Sequence, residues 1–322
     1  MRLWPFGRSG EPGSGGSGAA AQALVYRGPA AMPGCAESVA RVLQRVGLSV
    51  DFVGPKERLP LTAQSLSGRL LYAQPGGPDL DDASSGDGQA AEALVYRGPA
   101  ALPGCAESVA RVLRDVGLSV AFVGPKERLP LTAQSLSGRL LYAQPGGPDL
   151  DDAWQHIAPA AEAIRDFVGG GGYYAGFCLG GYLAGRDPGL RMLPGDTDQY
   201  IGTRGASVDH DRDALVTVTW SGAPRELYFQ DGPYFALKKK AVGTPVRDGG
   251  RAQVVAEYDN GLPAAVLCRY GDGVIAAVGP HPEATDDWFT DCGLPVPRPL
   301  GIDLAEDLVR RLLDCPTGAN AS

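Results

Sequence analysis

Residues 21–83 recur almost unchanged as 91–153, at an offset of 70. Only five pairs differ: Gln22/Glu92, Met32/Leu102, Gln44/Arg114, Arg45/Asp115 and Asp51/Ala121. Whatever one copy folds into, the other can fold into as well. Each copy reads as a strand at 23–26 or 93–96, then a Gly-Pro-Ala-Ala turn, then a helix. In the second copy the helix runs over 105–116, with Val109, Val112, Leu113 and Val116 on one side. Strands at 118–123 and 140–143 come next. The apolar period switches from 2 to 3.6 and back, the pattern of a parallel α/β sheet. Two copies are too few for a solenoid.

The copies differ in their downstream neighbours. The second runs directly into a helix expected over 154–168, with Ile157, Ala161, Ile164 and Phe167 apolar. The first runs into Ser84-Ser85-Gly86-Asp87-Gly88, a linker composition. We therefore expect a Gly/Ser-rich arm over 1–20, a partial β-α-β duplicate over 21–83 and a linker over 84–90. The intact domain is expected over 91–315, with a flexible tail at 316–322. The spare copy is read as a supernumerary fragment, either disordered, loosely docked or competing with its twin. Near-identity permits an exchange of copies, within one chain or between two chains of a homodimer.

The run Tyr173-Tyr174-Ala175-Gly176-Phe177-Cys178-Leu179-Gly180-Gly181 is a short apolar strand leading into one cysteine and then a helix. Glycines on both sides leave room for a tight turn, the design of a nucleophile elbow. Strands are expected at 215–220, 226–229, 253–258, 264–270 and 274–278, and a closing helix at 301–314. Gly271-Asp272-Gly273 is a hairpin connection. The sheet thus gains an antiparallel half toward its C-terminal end.

The last of these strands ends in Gly279-Pro280-His281-Pro282-Glu283. Ligands of parallel α/β folds bind beyond the carboxyl ends of strands, where Cys178 and His281 both fall. Glu283 is two residues beyond His281, so an extended segment points both side chains the same way. Together these residues supply a nucleophile, a base and a group that orients the base. The Leu179 N–H and that of Gly146 or Gly147 are candidate donors to an oxyanion. Cys105 comes after the first strand of the intact domain and reaches either the same rim or the core. His156, His210, Cys268, Cys292 and Cys315 are read as structural or incidental.

With only three histidines and no CxxC pair among six cysteines, no set has metal-ligand spacing, and neither metal nor cofactor is expected. A formal charge of −8 argues against nucleic-acid and anionic-membrane partners. No segment approaches the roughly 18 apolar residues of a membrane span. The N-terminus lacks the apolar core of a secretory signal, so a cytoplasmic location is expected.

The elbow and the Gly-Pro-His-Pro-Glu run together resemble the class I glutamine amidotransferase-like superfamily. The closer resemblance is to the domain found at the N-terminus of biotin-protein ligases and in free-standing bacterial proteins. Val95-Tyr96-Arg97-Gly98-Pro99, Gln144-Pro145-Gly146-Gly147-Pro148-Asp149-Leu150 and Phe167-Val168-Gly169-Gly170-Gly171-Gly172 add to it. The resemblance covers about 91–290 and implies a three-layer α/β/α sandwich of the flavodoxin-like kind. It implies Cys178 as nucleophile, His281 as base, Glu283 as orienter and Gly147 in the oxyanion hole. The reaction implied is amide hydrolysis or acyl transfer through a thioester on a small amide or acyl substrate. The alternative is a non-catalytic, ligand-binding or regulatory domain, and an activated thiol also suits a redox sensor. No ligase or synthetase module is recognised, so biotin attachment to a protein is not implied, and no partner enzyme is identified.

Overall fold

The computed structural model describes residues 22–27, 35–45, 47–57, 59, 71–73, 91–186 and 188–318. The expected N-terminal arm and the linker at 84–90 lie outside them. The chain divides into two compact units, within 1–84 and 85–322.

The first unit contains strands β1 (Ala23–Tyr26), β2 (Val50–Val53) and β3 (Leu71–Ala73) and helix α1 (Cys35–Arg45). The strands form a parallel sheet in the order β2-β1-β3. Ala36, Ala40 and Leu43 of α1 cover Ala23 and Val25.

The second unit repeats that arrangement with β4 (Ala93–Tyr96), helix α2 (Cys105–Asp115), β5 (Val120–Val123) and β6 (Leu141–Gln144). It then extends it. Strands β7 (Tyr173–Phe177) and β14 (Gly273–Val278) continue the parallel half in the order β14-β7-β6-β4-β5. Strands β9 (Ala214–Trp220), β10 (Ala223–Phe229), β12 (Ala252–Tyr258) and β13 (Pro263–Tyr270) form the antiparallel half. A separate two-stranded sheet joins β8 (Gly195–Gln199) to β11 (Pro233–Leu237). The architecture is α/β, with a nine-stranded central sheet.

Residues of one strand alternate between two cores, as the period of 2 requires. Val95, Ala143, Ala175 and Ala276 face α2 and the closing helix α8 (Ile302–Leu313), whose Leu304, Leu308 and Leu312 are buried there. Leu94, Tyr142, Tyr174 and Ile275 face the other side. There Ala153 and Ile157 of α4 (Leu150–Ile157), Ile164 of α5 (Ala161–Gly169) and Leu183 of α6 (Leu179–Leu183) cover them. Burial on both faces explains why β7 and β14 read as unbroken apolar runs.

Two expectations are corrected. The helix expected at 154–168 is α4 and α5 joined by a 3₁₀ turn, Ala158–Ala160. Pro159 lacks the N–H an unbroken helix needs and instead sits near the start of the next segment. Residues 316–318 belong to the folded unit. Pro316 O accepts from Arg269 (3.1 Å), and the Gly318 N–H donates to Asp272 O (3.0 Å). Helices α3 (Ala133–Leu136) and α7 (Asp286–Asp291), and the β8/β11 pair, were not anticipated. Among the described residues no helix is long and apolar enough to cross a membrane.

Candidate active site

The chain turns from β7 into α6 at Cys178, whose φ of 47° and ψ of −103° lie where an L-residue is strained. Bonds on both sides hold the turn. Cys178 N–H donates to Val278 O (2.9 Å), and Cys178 O accepts from the Tyr182 N–H (3.0 Å). The flanking glycines allow a close approach. A Cβ on Gly180 would lie 2.0 Å from Gln144 O, and one on Gly176 would lie 2.3 Å from Gly180 O. Cys178 is 8% exposed, and its sulfur faces Gln230 O at 3.7 Å.

His281 lies just past the end of β14 and is pinned by its N–H to Tyr228 O (2.9 Å). Its ring packs between Tyr228 and Trp288, with centroids 5.8 and 5.2 Å away. Nδ1 lies 2.8 Å from Oε1 of Glu283, which is fully buried. The segment is not extended as anticipated. It turns, with the Ala284 N–H reaching His281 O at 3.3 Å, and the turn itself brings the two side chains together. Burial pulls the imidazole pKa down, but the charges of Cys178 and Glu283 and hydrogen bonding to them outweigh it, raising the value to about 10.

The loop after β6 forms the next wall. The buried Gln144 side chain braces it, accepting from Tyr142 Oη (2.7 Å) and donating to Ala100 O (2.8 Å). A Cβ on Gly146 would come within 2.6 Å of His281 Cε1. One on Gly147 would come within 2.3 Å of Leu179 Cδ2, so the two candidate donor residues adjoin. Among the described residues, neither the Gly147 nor the Leu179 N–H donates to a carbonyl or side chain.

These residues share one open cleft of about 1180 Å³, lined by Cys178, Leu179, Gly147 and His281. Cys105, left open between rim and core, is 5% exposed in its wall. Burial, with the charges of Glu283 and Cys178, pushes its thiol pKa far up, so it stays protonated. Cys292, read as incidental, is exposed on the cleft and lies 3.7 Å from Tyr228 Oη. No spacing rule pointed to it. His156 is exposed on α4, and His210 is outside the cleft lining. Among the described residues no three His, Cys, Asp or Glu side chains converge as a metal site requires.

Residues 91–191 match the family described as "Biotin-protein ligase, N terminal". The match includes the elbow and stops short of His281 and Glu283. No curated protein matches the chain. Among solved structures, a GH42 β-galactosidase mutant from G. stearothermophilus is 18% identical, over 71% of this chain and 31% of that one, with a TM-score of 0.39. A cytoplasmic protein from Salmonella typhimurium is 13% identical, over 70% of this chain and 99% of that one (TM-score 0.41). An exo-β-1,4-mannosidase from Opitutaceae bacterium strain TAV5 is 12% identical, over 86% and 48% (TM-score 0.43). The chain spans about 31% of the length of the β-galactosidases it matches.

Proposed function

Taking as premise the match of residues 91–191 to the biotin-protein ligase N-terminal family, we propose a thiol-dependent amide hydrolase or acyl-transfer enzyme. Its domain, at 91–315, is of the class I glutamine amidotransferase-like, flavodoxin-like three-layer kind. One observation carries the reading: a strained cysteine at a strand–helix turn shares a cleft with a histidine hydrogen-bonded to a buried glutamate.

In this reading the Cys178 sulfur rotates from Gln230 O toward the substrate and attacks its carbonyl carbon as the thiolate. The carbonyl oxygen becomes an oxyanion beside the Gly147 and Leu179 N–H groups, both without other acceptors among the described residues. His281, protonated at neutral pH by its raised pKa, gives its proton to the leaving nitrogen as the C–N bond breaks. A thioester and a free amine result. Water then attacks the thioester, His281 takes the water's proton, and the acid leaves. Glu283 fixes the imidazole through Nδ1, so that Nε2 handles the proton.

The purified chain should release ammonia or amine from small amides, and Cys178→Ala should not. Equal rates in the two proteins would exclude the reaction. The second reading, a small-ligand-binding domain without turnover, is favoured by the contact that the Cys178 sulfur makes with Gln230 O at 3.7 Å. It predicts saturable binding with no trapped thioester.

A further inference from the structure

We infer, resting on the role proposed above for His281, that Asp213 and Tyr228 are positioning residues behind it. The Tyr228 hydroxyl anchors the Asp213 carboxylate, and together they orient the imidazole and support its charged form.

Tyr228, near the end of β10, touches His281 twice. Its carbonyl accepts the His281 N–H (2.9 Å) in an isolated antiparallel bridge. Its ring meets the imidazole at 5.8 Å between centroids, with the planes 72° apart. Trp288 and Phe289 of α7 pack on the same phenol ring in T-shaped contacts, at 5.3 and 5.5 Å. A phenylalanine would satisfy all of these contacts. The hydroxyl is left over, and it donates to Oδ1 of Asp213. Asp213 directly precedes β9 and is partly buried. Among the described residues it forms no ion pair. Its other hydrogen bonds, to Cys292 and to its own backbone, are with neutral groups. It is not among the residues lining the cleft, so it does not serve by touching a substrate.

The charges on the pair are settled by their surroundings. Burial, with the bond to Asp213, pushes the Tyr228 phenol up, so it keeps its proton and remains the donor. Burial alone would raise the Asp213 carboxyl, but the bonds from Tyr228 and Cys292 and the charge of His281 bring it below its usual value. Attraction is mutual: a carboxylate stabilised by the imidazolium stabilises the imidazolium in turn. The Tyr228 ring excludes water from the space between them, so the charge is screened less than at an open surface. Other ionisable groups also face His281. Cys178 stands at the head of α6 and Glu283 on the same turn, and a Cβ on Gly146 would touch both the imidazole and the Cys105 sulfur of α2. Helix α7 presents the uncharged Trp288 to the ring, with Asp287 and Asp291 exposed beside it. Glu283 bonds Nδ1 directly, whereas Asp213 acts only through Tyr228. The hydroxyl is what makes the difference: without it, the partly exposed carboxylate turns to water and its support for His281 is lost.

The test reads His281 itself. The chain has three histidines, so ¹⁵N-histidine labelling of the full-length protein gives three imidazole titrations by NMR, and the His281 signals are those lost in His281→Gln. Asp213→Asn and Tyr228→Phe should each lower the pH at which His281 loses its proton by about 0.5–1, less than the 1–3 of a carboxylate in direct contact. The double variant should shift it no further than either single one, because the two residues act in series. Cys292→Ala should leave it in place. If Asp213→Asn does not fold, Tyr228→Phe, which keeps every ring contact, reads the same link. An unmoved His281 titration in the variants, or a double variant equal to the sum of the two, would overturn the positioning pair; a structural role alone would lower Tm and nothing else. In amide hydrolysis the alkaline limb of the rate, where His281 can no longer protonate the leaving nitrogen, should move down in each variant with its NMR titration. Shifted His281 titrations in a chain that releases no amine from any amide would instead overturn the catalytic reading and leave the pair standing.

Discussion

Replacing Glu283 by glutamine tests the core of the site without any assumption about substrate. Glutamine keeps an oxygen for the Nδ1–H of His281, now 2.8 Å from Glu283 Oε1, and removes the charge. Hydrogen bonds to charged groups contribute about 1.5–3 kcal/mol and neutral ones about 0.5–1.5, so the change should cost about 1–2 kcal/mol. For a unit of this size that lowers Tm by about 2–8 °C. The cost must depend on pH. His281 has its pKa raised from 6.5 to about 10 in the folded protein. Stability held by its extra proton is fully present below pH 6.5 and is lost as pH rises through 10. The gap between wild type and Glu283→Gln should therefore be widest near pH 6 and should close toward pH 10. Urea unfolding at pH 6, 7.5, 9 and 10 measures it. A gap that stays constant across that range would refute the argument that a charged imidazole and a charged carboxylate face each other.

Cys178→Gly should be more stable than Cys178→Ala by about 1–3 kcal/mol in urea, reversing the usual order, because only glycine is unstrained at φ 47°. An alanine variant as stable as the glycine one would mean the turn relaxes. Gly146→Ala places a Cβ 2.6 Å from His281 Cε1, so the imidazole must shift; destabilisation of about 1–3 kcal/mol is expected. The open Gly202→Ala should change little, and equal melting of the two would sink the packing argument. Asp231 has a raised carboxyl pKa, which destabilises the fold above its unfolded pKa and ceases to do so as pH falls below it. Asp231→Asn should accordingly raise Tm at pH 7 and leave it unchanged near pH 3.5, by differential scanning fluorimetry.

The elbow was legible because its chemistry is local: strand, cysteine and glycines are contiguous, and only glycine fits against Gln144 O. His281 and Glu283 were legible as a pair, though a turn rather than an extended strand brings them together. Strand β8 was missed because Gly-Asp-Thr-Asp-Gln has no apolar alternation; its pairing with β11 supplies what its composition lacks. The aspartates that line the cleft were invisible as a group because they come from residues 149 to 291 and meet only in the fold. Cys292 escaped for the same reason.

The duplicated segment leaves a final asymmetry, which lies in energetics rather than topology. Both copies make the same distant contacts. Arg27 pairs with Glu57 at 2.8 Å and lies over Phe52; Arg97 pairs with Glu127 at 2.8 Å and lies over Phe122. Strand β3 is identical in sequence to its counterpart in β6, so β7 has no means of telling the two strands apart by pairing. The side chains that differ can tell them apart. Ala121 on β5 is partly buried against the apolar cluster under α4 and α5. The first copy has Asp51 there, exposed on β2 of its own sheet. In the place of Ala121 that carboxylate would lose part of its water, a cost of about 0.5–2 kcal/mol on the mildest scale. Glu92 takes the Ser119 N–H and hydroxyl at 3.0 Å each, whereas Gln22 meets Ser49 at 3.2 and 3.5 Å. The bonds to serine are internal to each copy and travel with it, whereas the Ala121/Asp51 difference favours the second copy beside β7. The elbow is therefore served by the copy directly connected to it, and the first must bury its apolar face elsewhere, as α1 does over β1.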